Sequence, residues 1–299
     1  PGNATTPGAD SRLWRLAFAA GRRIVELLGQ GVRPSDIMTP AAFGNAIRVL
    51  QAMGGSTNAV LHLQAIAAEL DLSTSLDEFN ALSETTPFIC DVAPSGSGRY
   101  MVGDLDDAGG VPSIMKELEP LLDREVLTVT GRRLEENLAG VPGGDGRVIH
   151  SLATPMASQG GLIFLKGNLA PGGGLIKVSA VPENMKRHAG PARIFPDEEA
   201  ACAALNQGLV NPGDVVVVRG VGPKGDPGMR LLQRFLWLAA AKGMQDKIAF
   251  ITDGRFSGTN KGCAVAHISP EAAEGGPLAL VEDGDVIEID VSGDRKSVV

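Results

Sequence analysis

The chain has 299 residues, 43% of them hydrophobic and 21% charged, an ordinary globular composition with room for about two domains. Its formal net charge is -8 and no basic cluster interrupts the acidic balance. That argues against nucleic acid as a partner, because such binding rests on Lys and Arg neutralising phosphates, and apolar runs such as the valines at 215–218 are far too short to span a bilayer.

In chain order, residues 11–30 carry Leu13, Leu16, Ala17, Ala20, Ile24, Leu27 and Leu28 at helical spacing, stopped by Gly29 and Gly31. Thr39 caps a second predicted helix that runs through Met53. Gly54-Gly55-Ser56-Thr57 breaks it, and residues 58–70 form a third. Ser75 opens a short helical stretch to Leu82, and residues 106–122 contain another after Gly109-Gly110. The character changes at the Gly/Pro-rich joint 140–146. Beyond it, short β-branched strands are predicted at 161–166, 174–181, 192–195, 214–219, 247–252 and 285–291, with helices at 197–207 and 228–242. The expected fold class is α/β. Residues 1–142 read as the helical remainder of a cluster-binding α/β domain, and 143–299 as a swivelling β-barrel-like domain.

Cys90, Cys202 and Cys263 are odd in number and widely spaced, with no CxxC pair, so they define neither a disulfide framework nor a zinc site. Reduced thiols and a cytoplasmic location are the expectation, and the polar, small first ten residues do not read as a signal peptide. Position 1 is proline, and residues 295–299 read as the start of a strand, so both ends are expected to be cut from a longer protein.

Four segments have the composition of a site. Thr252-Asp253-Gly254-Arg255-Phe256-Ser257-Gly258-Thr259 follows the apolar strand Ile248-Ala249-Phe250-Ile251. A glycine-flanked serine at a strand end suits a base or nucleophile, and equally suits a plain turn. The loops Lys166-Gly167-Asn168-Leu169-Ala170-Pro171-Gly172-Gly173-Gly174 and Gly220-Val221-Gly222-Pro223-Lys224-Gly225-Asp226-Pro227-Gly228-Met229 place a lysine among backbone donors, as an anion site does, but neither has P-loop or Rossmann spacing. Tight connections explain them as well. Gly54-Gly55-Ser56-Thr57-Asn58 is made of natural helix caps, and His62, His150, His188 and His267 lack metal-ligand spacing.

In order and spacing, GGSTNAVLHL at Gly54, GNLAP at Gly167, GPKGDPGM at Gly222, TDGRFSG at Thr252 and ISPEAAEGGPLALVEDGD at Ile268 resemble the iron–sulfur dehydratases. That family includes the dihydroxy-acid, phosphogluconate and aldonate dehydratases, and the resemblance covers essentially the whole chain. It implies a hydro-lyase that converts a 2,3-dihydroxy carboxylic acid to a 2-keto acid. The phenylalanine of TDGRFSG and the GPKG segment look like the dihydroxy-acid branch of branched-chain amino-acid biosynthesis, whereas Gly258-Thr259 looks like the aldonate branch.

The resemblance further implies Ser257 as an alkoxide base, Thr259 as its hydrogen-bonding neighbour, and Asn58, Asn168 and Arg255 as substrate-binding residues. It implies an iron–sulfur cluster and a magnesium ion, a small hydroxy-acid substrate, and a homodimer or higher homo-oligomer. The chain departs from the pattern in three ways, one being Val221, which stands where the dihydroxy-acid branch has a glutamate. None of its cysteines sits in a matching cluster motif, so the cluster ligands are not in this chain. Leu231 stands where the family has a metal-binding glutamate, and leucine cannot bind a hard cation. A member that has lost catalysis and serves as a binding or assembly partner is the alternative reading.

Overall fold

A computed structural model describes residues 2–256, 261–292 and 297–299. The chain divides into two compact units: residues 1–54 with 62–160, and residues 55–61 with 161–299.

The first unit is helical. It contains α1 (Arg12–Gly29), α2 (Pro34–Ile37) and α3 (Pro40–Ala52), most of α4 (Thr57–Ala68), then α5 (Leu76–Glu84), α6 (Val102–Asp107), α7 (Gly110–Glu117) and α8 (Leu134–Leu138). Caps set the boundaries. Thr39 accepts a hydrogen bond from the Ala42 N–H at the start of α3, with proline at the first helical position, and Ser75 accepts one from Glu78 at the start of α5. The core joins Ala52, Ile89, Cys90, Leu105, Ile114, Leu118, Leu134, Leu138 and Ile149. Isolated bridges between Cys90 and Ile149 and between Phe88 and Ala157 hold residues 147–160 to this unit. On α1 only Leu27 is buried, and Trp14, Phe18, Ile24, Val25 and Leu28 form an exposed apolar face.

The second unit is an eight-stranded sheet: β1 (Ile163–Leu165), β2 (Gly173–Ile176), β3 (Arg187–Phe195), β4 (Val215–Val218), β5 (Ala249–Thr252), β6 (Cys263–Ser269), β7 (Val286–Asp290) and β8 (Ser297–Val298). Its order is β1-β2-β6-β5-β4-β3-β7-β8. The four central strands β6, β5, β4 and β3 run parallel, and antiparallel pairs complete both sides. The two edges meet, because a Cβ on Gly167, two residues past β1, would lie 2.0 Å from the Val298 carbonyl oxygen of β8. The sheet is therefore a nearly closed barrel.

Its interior takes one residue parity from every strand: Ile163 and Leu165, Ile176, Ala192, Val215 and Val217, Ala249 and Ile251, Cys263 and Val265, Ile287 and Ile289, and Val298. The other parity of the central strands, Val216, Val218, Phe250 and Ala264, packs outward beneath α9 (Glu198–Asn206) and α10 (Arg234–Ala241). Burial on both faces explains the unbroken valine run of β4, where an antiparallel strand with one wet face would alternate.

Several elements differ from the sequence reading, β3 among them, which starts at Arg187 and not at 192. The helix expected over 228–242 begins only at Arg234, because residues 228–232 pair with Arg255 instead of coiling. The strand expected over 174–181 stops at Ile176, and a 3-10 turn follows at Val178–Ala180. The strand β6 was not foreseen, because Cys-Ala-Val-Ala-His carries little β-branched signal and follows a glycine-rich stretch.

Candidate functional site

The site begins where β5 ends. Central parallel strands of this kind carry ligand chemistry beyond their carboxyl ends, and there the chain turns sharply, the Thr252 hydroxyl accepting the Gly254 N–H at 2.9 Å. Asp253, almost fully buried, points its carboxylate into the next loop. It accepts N–H bonds from Gly220 at 2.9 Å, Val221 at 3.1 Å and Ala272 at 2.9 Å. Glu271, also buried, accepts from Lys224 at 2.9 Å and Gly225 at 3.1 Å. Two carboxylates thus pin the start and middle of the loop that follows β4. Glycine is required at 222, where a Cβ would come within 2.5 Å of the Glu271 carboxylate. The Lys224 ammonium pairs with Glu274, so this loop's charge and several of its donors are already engaged.

Arg255 fastens the far end of the same loop. Its Nε donates to the Met229 carbonyl at 2.5 Å and its Nη2 to Gly228 at 3.3 Å. Residues 231 and 255 form a short parallel bridge, and the Leu232 N–H donates to the Arg255 carbonyl at 2.9 Å. The third arm, Nη1, reaches the Asn58 Oδ1 at 3.5 Å.

Asn58 stands in the first turn of α4. Its Nδ2 donates to the Phe256 carbonyl at 3.1 Å, and the buried Thr57 hydroxyl reaches the same oxygen at 3.5 Å. The capping role belongs to Ser56, whose hydroxyl accepts the Asn58 N–H at 3.3 Å. The structure thus brings Asn58 and Arg255 together, both half-buried, with Asn58 also bonded to the Phe256 carbonyl. Asn168 is exposed in the loop after β1, and among the described residues no hydrogen bond joins it to Asn58 or Arg255. Ser257 and Thr259 lie outside the described residues. An open cleft of about 450 Å³ lies beside Gly220, lined also by Phe195, Arg219 and Ala272, and not by Asn58, Asn168 or Arg255. We place the site by its hydrogen bonding, since this cleft offers a ligand mainly apolar side chains.

Sequence reasoning passed over Asp253 and Glu271 as carriers of the loop, and it passed over His267. Asp253 was visible inside TDGRFSG, but as a turn former. Nothing in the spacing announces that it accepts three backbone N–H groups from two other loops.

The described residues do not fit a resident cluster or magnesium ion. A cluster needs neighbouring thiolates. Cys90 is in the first unit's core, Cys202 lies on α9 and Cys263 points into the barrel. Burial pushes the Cys263 thiol up to about 12 and raises that of Cys202, so both stay protonated. Among the described residues no three His, Cys, Asp or Glu side chains gather as a metal site. Leu231 offers no oxygen, and the nearby Asp226 carboxylate is held by Arg230 at 2.9 Å. Nor is any described helix long and apolar enough to cross a membrane.

Two family models match the chain: dihydroxy-acid/6-phosphogluconate dehydratase N-terminal over residues 1–137, and the C-terminal model of the same family over residues 147–298. A dihydroxy-acid dehydratase of Acetivibrio thermocellus is 46% identical over 300 residues, covering 100% of this chain and 54% of the relative. One of Desulfosudis oleivorans is 49% identical over 294 residues, with 97% and 52% covered. One of Halothermothrix orenii is 47% identical over 293 residues, with 97% and 53% covered. The chain spans about half the length of the curated relatives it matches.

Proposed function

The chain belongs to the dihydroxy-acid/6-phosphogluconate dehydratase family, and from that premise we propose that it carries the proton-abstracting side of a hydro-lyase that turns a 2,3-dihydroxy carboxylic acid into a 2-keto acid. The observation that carries this reading is the hydrogen bond from Asn58 to the Phe256 carbonyl, which joins motif segments 198 residues apart. It ties the Phe256 carbonyl to the first turn of α4, where Asn58 also meets the Arg255 guanidinium. Positive potential from both favours a substrate carboxylate, and it lowers the cost of ionising a serine hydroxyl placed there.

In the reaction the base takes the C2 proton. The C2–H electron pair becomes the C2=C3 double bond, the C3–O bond breaks, and the hydroxyl leaves as water after gaining a proton. The enol then tautomerises to the 2-keto acid. Ser257 is the base in this reading, Thr259 supports it by hydrogen bonding, and Asn58, Arg255 and Asn168 hold the substrate. Among the described residues none is fit to hold an iron–sulfur cluster or magnesium, so in this proposal those groups are bound from outside them. The name shared by the relatives, dihydroxy-acid dehydratase, favours a branched dihydroxy acid over an aldonate as substrate, and with it branched-chain amino-acid biosynthesis in the cytoplasm. The exposed apolar face of α1 supports self-association, since patches of that kind drive it.

The test is 2-keto acid formation by this chain joined to the segment that completes a curated relative, loaded anaerobically with iron, sulfide and magnesium. Turnover of 2,3-dihydroxyisovalerate in preference to an aldonate is the expected result. The opposite preference selects the aldonate reading. A loaded cluster without turnover of either acid selects the non-catalytic one.

A further inference from the structure

His267 holds an unfavourable place in the barrel. It lies where the register of β6 slips against β2: Leu175 pairs with Ala266 and Gly173 with Ser269, so three steps on one strand match two on the other. Bulges of this kind re-aim a side chain. The backbone of His267 takes φ = 54°, a left-handed conformation that costs free energy in a residue with a Cβ. Its N–H donates to the Gly254 carbonyl at 2.9 Å, which sets it beside the turn that carries Arg255. Its Nε2 is buried and has no hydrogen-bond partner among the described residues.

Burial first, and the charge of Arg255 second, lower its pKa to about 4, so the ring is neutral at physiological pH. A neutral imidazole can offer an N–H at Nε2. The left-handed backbone is held by the bond to Gly254, whereas the unpaired buried nitrogen opposes folding with no partner among the described residues. Such features persist where function uses them.

We infer that His267 is a substrate-contacting residue of the Asn58–Arg255 site, its Nε2 pairing with an oxygen of the bound hydroxy or keto acid. The inference rests on the dehydratase reading of that site. The bulge supplies the aim, and the neutral ring supplies a donor that adds no charge to that of Arg255.

The experiment is imidazole NMR on the ¹⁵N-histidine-labelled chain, titrated with 2-ketoisovalerate at millimolar concentration. The His267 signals are assigned by their loss in His267→Asn. Asparagine tolerates left-handed backbone, so this variant is also expected to melt at or above the parent's temperature while binding the acid about tenfold more weakly, the equivalent of one hydrogen bond to a charged group. A saturable shift of the His267 Nε2 signal supports the inference. Saturable backbone shifts at residues 254–256 with an unmoved His267 ring overturn it and leave the dehydratase reading standing. A His267→Asn variant that loses stability and keeps its affinity also overturns it, by making the residue structural. Absence of any saturable binding removes the site reading and the inference together.

Discussion

Leu231 and Arg255 are partners in a short parallel bridge, closed by the 2.9 Å hydrogen bond from the Leu232 N–H to the Arg255 carbonyl. The position at which the family resemblance expects a metal-binding glutamate therefore lies across the bridge from Arg255, which precedes Ser257 by two residues in the sequence. Leu231 is 43% exposed, so its side chain contributes little to the core.

Leu231→Glu is therefore expected to change the folding free energy by no more than about 0.5 kcal/mol. In the completed, cluster-loaded enzyme it should raise turnover and lower the magnesium concentration needed for half-maximal rate. Denaturant melts and a magnesium titration of the rate check the two halves. An unchanged magnesium dependence would mean that position 231 has no part in holding the ion.

Asp253→Ala removes the acceptor of three backbone N–H groups in a buried setting. Losing charge-assisted bonds and leaving donors unpaired should cost on the order of 3 kcal/mol. Urea unfolding of the chain measures this. A loss below about 1 kcal/mol would show that the loop after β4 is held by other contacts.

The strands that frame this turn were legible because β4 and β5 are short, apolar and bounded by glycine and aspartate. The caps Thr39 and Ser75 announced α3 and α5 in the same way. The long helix expected over 228–242 failed for a reason outside its own residues. Arg255, more than 20 positions away, captures the carbonyls of Gly228 and Met229 that a helix would have used. Of the residues the motifs singled out, Asn58 and Arg255 meet. Which hydrogen bonds join them was not legible, because Ser56, Thr57 and Asn58 are all competent caps and only tertiary packing assigns the capping to Ser56. His267 was hidden because a bulge and a left-handed backbone leave no periodic trace.

The pH dependence of stability should carry the signature of His267. Its pKa is about 4 when folded, against an ordinary value of 6.5. Between those values the unfolded chain takes up a proton that the folded chain refuses, so lowering the pH favours unfolding. The contribution is fully present above about pH 6.5 and is lost as the pH falls towards 4, on the order of 3 kcal/mol in all. Burial lowers His188 in the same direction, so the comparison needs His267→Asn. Thermal melts at pH 7 and pH 5 should show a larger drop for the parent than for the variant. Equal drops would mean that His267 titrates normally.

Cys90, Cys202 and Cys263 are buried and belong to no disulfide. The native chain should therefore react with a thiol reagent far more slowly than the denatured chain, which should release three equivalents. The chain alone, incubated anaerobically with iron and sulfide, should retain no stoichiometric cluster, as metal analysis and visible absorption would report. Fast native labelling or a bound cluster would contradict the burial of these thiols.

The most direct measurement is the rate of 2-keto acid formation by Ser257→Ala in the completed, cluster-loaded dehydratase. The account predicts a loss of about a thousandfold or more, within the range of a removed general base, with the cluster's absorption spectrum unchanged. Turnover close to the parent's, with the cluster intact, would contradict the assignment of proton abstraction to this chain.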